Sequence, residues 1–241
     1  MTGEAADIIR LDDVGSTNDE AMARLRAGAD PFWLTAQRQL AGRGRRGRHW
    51  VSEPGNLYSS YAFRPEFSPE GMGILPLAVA VALSDALQTL GLKPQHKWPN
   101  DVLIGGRKCA GILIETEMAA RKRLAVIGIG VNITHHPDDA PSTHLCEHLP
   151  QIDAQTVFDV LRPALAVRLA LLADDGPPKI RNEWLSRAVG LGGPVTVRYD
   201  SDSISGRFLG LDPLGRLILS QEGGDTRLIA AGDVFVRTEP L

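Results

Sequence analysis

Between Ser68 and Gly91 the chain places Leu75, Val79, Ala82, Leu83, Ala86, Leu87 and Leu90 at helical spacing, after the start signal Ser68-Pro69-Glu70 and before Gly91 as a stop. A helix of that length needs a surface on which to bury its apolar face. The runs Trp33 to Ala36, Leu57 to Phe63, Gln95 to Trp98, Val102 to Ile104, Cys109 to Glu115 and Leu124 to Thr134 supply one, being short, apolar and bounded by turn residues. Gly105-Gly106 joins two of them as a hairpin. This arrangement predicts an α+β fold, a mixed sheet with helices packed on one side.

Two further helices are expected. Thr17-Asn18-Asp19-Glu20 has the form of a capping box, with Thr17 as cap and Glu20 reaching back, and its helix should run to about Ala27. Another should cover about Ala154 to Ala173 from an Asp153 cap, with a kink at Pro163. From Gly190 the pattern changes to short strands about ten residues apart: Val195 to Tyr199, Ile204 to Leu211, Leu217 to Gln221, Arg227 to Ala230 and Val234 to Arg237. Glycine- and aspartate-rich turns separate them, which reads as a small SH3-like β-barrel. The chain therefore divides into 1–188 and a C-terminal barrel, 189–241.

No apolar run reaches the roughly 18 residues of a membrane span, and Met1 to Arg10 carries acids rather than a basic and then apolar leader. Two cysteines, Cys109 and Cys146, give no disulfide framework and fit a reducing, cytoplasmic setting. Cys109 lies in an apolar run and reads as a core residue. His144, Cys146 and His148 match no closed zinc pattern, and the prolines around them indicate a surface loop, so no resident metal is expected.

Against a formal net charge of -3, the stretch GRGRRGRHW from Gly42 to Trp50 concentrates four arginines among glycines. Three functions fit such a segment: a solvated basic loop, a nucleic-acid grip, or a lid over a small anionic ligand. The acidic balance argues against nucleic acid as the main partner. Four more segments stand out: Gly15-Ser16-Thr17-Asn18, Lys97-Trp98-Pro99-Asn100-Asp101, Arg107 to Glu115 (RKCAGILIE) and Gly128 to Ile133 (GIGVNI). Singly, each reads as a cap, a pre-proline turn or a strand end.

Together, in this order, the five segments closely resemble the biotin protein ligases, over the chain from about Val14 to its C-terminus. The short segment before Gly15 resembles the monofunctional type rather than the regulatory members with an N-terminal helix-turn-helix domain. The resemblance implies an ATP- and magnesium-dependent ligase. It makes biotinyl-5′-adenylate and passes biotin to a lysine of a biotin carboxyl carrier protein, with 1–188 as the catalytic domain and a homodimer through a sheet edge as one arrangement open to it.

The resemblance also assigns residues. Lys108 bridges the biotin carboxylate and the α-phosphate; Asp101 meets the carrier lysine; Arg45, Arg46 and Arg48 form a phosphate lid, loose when empty. Ser16, Thr17, Asn18, Gln39, Arg43, Gly111 and Gly130 surround biotin, the two glycines letting backbone and ligand come close. Trp50, Asn100, Asn132 and Arg237 lie on the nucleotide side. A lipoate or octanoate ligase or transferase of the same superfamily is the neighbouring alternative, and its members generally lack the arginine lid and the KWPND run.

Overall fold

Strands β1 (Asp7–Val14), β2 (Phe32–Gln39), β3 (Leu57–Phe63), β4 (Pro94–Lys97), β5 (Asp101–Ile104), β6 (Arg107–Ala119) and β7 (Lys122–Val131) form one sheet, in the order β1-β2-β3-β7-β6-β5-β4. The computed structural model describes residues 6–137, 141–174, 176–199 and 202–236. β1 runs parallel to β2 and every other neighbouring pair is antiparallel, so the sheet is mixed. Six of these strands fall where the sequence predicts them. β1 is the exception: its residues DIIRLDDV are half or fully exposed at the sheet edge, so no apolar run marks it. Gly105 and Gly106 turn the β5–β6 hairpin with φ of 57° and 76°, a left-handed pair that side chains resist.

Helices α1 (Thr17–Arg26), α2 (Pro69–Thr89), α3 (Ala154–Ala173) and α4 (Pro177–Leu185) follow the expected starts, apart from α4, which the sequence reading passes over. Ser68 and Asp153 cap α2 and α3, and α3 continues through Pro163 as one helix. The cap of α1 is Ser16, not Thr17, because Thr17 gives both its N–H and its hydroxyl to the Gln39 Oε1, at 2.9 and 3.0 Å. Glu20 pairs instead with Arg24, one helical turn on.

α2 is apolar around its circumference, not along one face. Leu75, Val79, Leu83 and Leu87 are fully buried, and so are Ala78 and Val81 between them. By length and composition it could cross a bilayer, a property the run-length argument misses because Pro76, Ser84 and Asp85 interrupt the run without making the helix polar. Here it is the central core helix, with the sheet below it and α3 and α4 beside it. Trp33, Tyr61, Phe63, Ile127 and Ile129 face that core. The short α1 packs on the opposite face, where Ala21 and Leu25 meet Phe32, Leu34, Ala62, Leu124 and Val126. Cys109 is fully buried in the core, and burial pushes its thiol up to about 12.

The remaining strands, β8 (Pro194–Arg198), β9 (Ser203–Leu211), β10 (Leu217–Ser220), β11 (Thr226–Ile229) and β12 (Asp233–Val236), make an antiparallel sheet in the order β11-β10-β9-β8-β12. Val195, Val197, Phe208, Leu217 and Leu219 fill its interior, giving the expected small barrel. It is bolted to the larger sheet. The Trp98 indole N–H donates to the Gly215 carbonyl at 3.0 Å, and the His96 backbone exchanges hydrogen bonds with Arg187 and Val189 on either side of Ala188.

His96 itself is fully buried, with Nδ1 3.0 Å from the Trp184 carbonyl and Nε2 2.8 Å from the Ser84 hydroxyl. The carbonyl can only accept, so Nδ1 carries the proton and Nε2 accepts from Ser84, a neutral ring. Burial lowers its pKa from 6.5 to about 4. The unfolded chain thus takes up a proton below pH 6.5 that the folded chain refuses until about pH 4, and stability falls through that window as pH falls. We expect urea unfolding to give a free energy about 2 kcal/mol lower at pH 5 than at pH 7.5, and His96→Gln to remove most of that difference. An equal slope in both proteins would show that other groups carry it.

Candidate functional site

Side chains alternate across a strand, and on β6 and β7 the alternation separates bulk from its absence. Ile112, Ile127, Ile129 and Val131 point to the helical core. Gly111, Gly128 and Gly130 occupy the opposite face, with Gly111 paired to Gly130 across the two strands. Beside α1, the bare sheet becomes the floor of a cavity of about 630 Å³. The close approach expected of these glycines is made here by the indole of Trp50. A Cβ on Gly111 would stand 2.9 Å from its ring, and one on Gly130 2.8 Å. The Trp50 Nε1 is buried with no hydrogen-bond partner among the described residues.

One wall is the start of α1. A relay runs from the Thr17 N–H and hydroxyl to Gln39 Oε1, from Gln39 Nε2 to the Ser52 hydroxyl at 2.9 Å, and from Ser52 to the Trp50 carbonyl at 2.8 Å. It ties GSTN to the end of the arginine segment. Ser16, Thr17, Asn18 and Gln39 all line the cavity. Asn18 is fully engaged: it donates to Glu115 at 2.8 Å and to the Leu113 carbonyl at 3.3 Å, and accepts from Ser60 at 2.7 Å. Arg43 also lines the cavity, but Asp19 grips it in a fork and Glu115 holds it at 2.9 Å. The pairing drives the Asp19 carboxyl below its ordinary range and the Arg43 guanidinium above its own. Its charge is balanced before any ligand arrives.

The opposite end is differently charged. Lys108 Nζ lies 2.6 Å from Asp101 Oδ1 and 5.2 Å from the centre of the Trp50 ring. Asn100 donates to the Ile112 carbonyl at 2.7 Å, which fixes the KWPND turn on β6, and its Oδ1 accepts from Arg45 at 3.3 Å. That amide is the only side-chain partner of Arg45 among the described residues. Burial consequently dominates and lowers the Arg45 pKa, with Asp233 and Asp101 acting from a distance in the other direction. A cation so placed favours an incoming anion.

The arginine segment is a closed fold-back rather than an open loop. Arg43 bridges to His49, the Gly44 N–H donates to the Arg48 carbonyl at 2.7 Å and the Trp50 N–H to the Gly42 carbonyl at 2.9 Å. Arg46 takes φ of +57° at its tip and does not line the cavity. Arg48 does, and its guanidinium donates to Asp233 of β12 at 2.8 Å. Asn132 sits at the far wall, where its amide donates to the Thr143 carbonyl at 3.2 Å and holds the 141–145 segment beside Lys108. Of the residues assigned from sequence, all but two line one cavity. Arg46 stands outside it, and Arg237 lies outside the described residues.

Sequence reasoning missed the acids that govern these bases. Asp19 and Glu115 balance Arg43, and Asp233 anchors Arg48. Asp19 was legible only as a first-turn helix acid and Glu115 only as a strand end. Asp233 is separated from Arg48 by most of the chain, and no spacing announces the pair.

Comparison with known proteins agrees with this geometry. Residues 11–132 match the Biotin/lipoate A/B protein ligase family and residues 190–237 the Biotin protein ligase C terminal domain. A biotin--[acetyl-CoA-carboxylase] ligase of Paracoccus denitrificans is 38% identical over 91% of this chain and 96% of its own. Its counterpart from Mycobacterium tuberculosis is 33% identical over 91% of this chain and 85% of its own. The structure of a biotin protein ligase from Aquifex aeolicus in complex with biotin and ATP superposes with a TM-score of 0.79 at 28% identity, covering 96% of this chain and 98% of that one. With both parts of the chain matched and relatives of this identity along nearly its whole length, the chain belongs to the biotin protein ligases of the Biotin/lipoate A/B protein ligase family.

Proposed function

We propose that this protein is an ATP-dependent ligase that forms biotinyl-5′-adenylate and transfers the biotinyl group to a lysine of a biotin carboxyl carrier domain. The observation that carries the reading is the pairing of Lys108 with an undercompensated, half-buried Arg45 at one end of a cavity whose other end is glycine-floored and uncharged in balance. Biotin offers an apolar bicyclic ring and a ureido edge, which suits the sheet face and the GSTN–Gln39 relay. Its carboxylate must meet the α-phosphate, anion against anion, at the cationic end.

The first step forms a bond from a carboxylate oxygen to the α-phosphorus and breaks the bond to pyrophosphate. Lys108 is the group assigned to neutralise both anions, leaving Asp101 as they arrive. Arg45 and Arg48 are assigned to the phosphates, with Trp50 displaced towards the nucleotide base. In the second step the carrier amine attacks the acyl carbon, AMP departs, and the proton lost from the amine passes to Asp101, freed from Lys108. Magnesium belongs to this proposal as the companion of ATP, where it would be held chiefly by the phosphates and would help neutralise their charge. The division into a catalytic domain, 1–188, and a barrel, 189–241, is part of the same reading, as is a cytoplasmic setting, supported by two free cysteines.

Lys108→Met keeps the side-chain length and removes the charge. We expect biotin-dependent pyrophosphate exchange to fall at least about a hundredfold while the thermal midpoint stays within a few degrees, since charge-assisted contacts to two anions are lost and no core residue is touched. Exchange at the wild-type rate would remove Lys108 from the first step.

Arg45→Gly should weaken retention of the adenylate more than its synthesis. Losing one charge-assisted contact of about 1.5–3 kcal/mol corresponds to roughly ten- to hundredfold faster escape. Escaped mixed anhydride acylates any exposed lysine, so biotin labelling of albumin in the reaction should rise. Unchanged albumin labelling while adenylate is still produced would mean that Arg45 does not retain it.

A further inference from the structure

Phe235 on β12 stands between two cations: Lys97 Nζ lies 5.1 Å from its ring centre and the Arg198 guanidinium 4.3 Å. The ring is 40% exposed, unusual for a phenylalanine in a barrel whose interior is otherwise well filled. Lys97 and Phe235 belong to the cavity wall; Arg198 does not and is exposed beyond it.

Two features make this stack more than a surface accident. Neither Lys97 nor Arg198 forms an ion pair with a carboxylate among the described residues. Arg198 faces Asp233 across the β8–β12 pairing, the natural place for compensation, yet Asp233 gives its carboxylate to Arg48 of the arginine segment. The second feature is position. Lys97 is the cross-strand partner of Asp101, which holds Lys108. The stack therefore adjoins the Asp101–Lys108 pair while extending outward onto the barrel.

The proposed reaction has a macromolecular second substrate, which must bring an amine to that end of the cavity while biotin and nucleotide fill the interior. A protein partner needs a contact at the rim of the cavity that reaches beyond it. An exposed aromatic ring flanked by uncompensated cations has the composition of an interface anchor. We infer that the Lys97–Phe235–Arg198 stack is a docking point for the carrier domain, taking an apolar side chain against the ring and carboxylates against the two cations. The inference rests on the ligase reading above and adds to it a contact surface.

The test uses the full chain, a carrier domain of acetyl-CoA carboxylase with its acceptor lysine, and two measurements on each protein: biotin-dependent pyrophosphate exchange and the KM for the carrier. Arg198→Glu alters an exposed side chain off the cavity wall. We expect its carrier KM to rise about fivefold or more at low salt, with exchange unchanged, and Arg198→Lys to retain most of the wild-type value. In the wild type the carrier KM should climb as salt is added, and in Arg198→Glu that dependence should flatten. An unchanged carrier KM in Arg198→Glu overturns the inference. So does a parallel fall in exchange, which would assign the stack to nucleotide binding or to holding the barrel in place. Absence of exchange in the wild type would instead overturn the ligase reading itself.

Discussion

The alternation of isoleucine or valine with glycine along β6 and β7 is the constraint on which the site depends. The same backbone pairing that anchors α2 to one face leaves Gly111, Gly128 and Gly130 on the other with no side chains of their own, so that Trp50 and Asn18 can pack directly on the backbone. A sheet so arranged is rigid, because its hydrogen-bond ladder and one face are complete, and it is also hollow. Any Cβ at Gly111 or Gly130 would fill the space that the Trp50 indole takes. The indole covers an apolar floor that would otherwise face water, and its unpartnered N–H makes that cover easy to give up.

Charge is distributed over this scaffold in two different ways. Arg43 and Arg48 are compensated by carboxylates from α1, β6 and β12, so they act as structural ties that bring the arginine segment down onto the sheet and the barrel. Arg45, two residues after the first tie and three before the second, is left with an amide oxygen. A desolvated guanidinium facing a cavity is costly unless an anion joins it, which is why the proposed function assigns Arg45 to phosphate. Exposed pairs such as Arg48 with Asp233 contribute little to global stability and serve instead to fix geometry.

Much of this was readable from sequence because it is local. The α2 and α3 caps, the Gly105-Gly106 turn and the barrel strands between Pro194 and Val236 each depend on neighbours a few residues apart. The five motif segments supply most of the cavity wall, but Tyr58, Leu103, Pro141 and the Asp233 to Val236 strand, which also line it, lie outside them. What was not legible involves partners distant in the chain or signals diluted by exposure. β1 is polar because it is an edge; Thr17 yields its capping role to Ser16 because Gln39, 22 residues later at the end of β2, claims its hydroxyl. The balance of the arginines depends on Asp19, Glu115 and Asp233, which no spacing rule connects to GRGRRGRHW.

The barrel follows from the same reasoning as an electrostatic part of the site rather than an appendage. Trp98 ties the KWPND turn to Gly215 through its indole N–H, so the turn that presents Asn100 and Asp101 is set partly by the barrel's position. Asp233 then sets the position of the segment that carries Arg45, and by doing so leaves Arg198 without its cross-strand acid. One carboxylate thus settles the charge of both rims of the cavity: it neutralises Arg48, the segment's arginine tied to the barrel, and leaves uncompensated positive charge on the barrel's outer face. A shift of the barrel against the sheet would change both at once, and under the proposed function and docking inference it would couple retention of the adenylate inside the cavity to the surface presented to the carrier outside it.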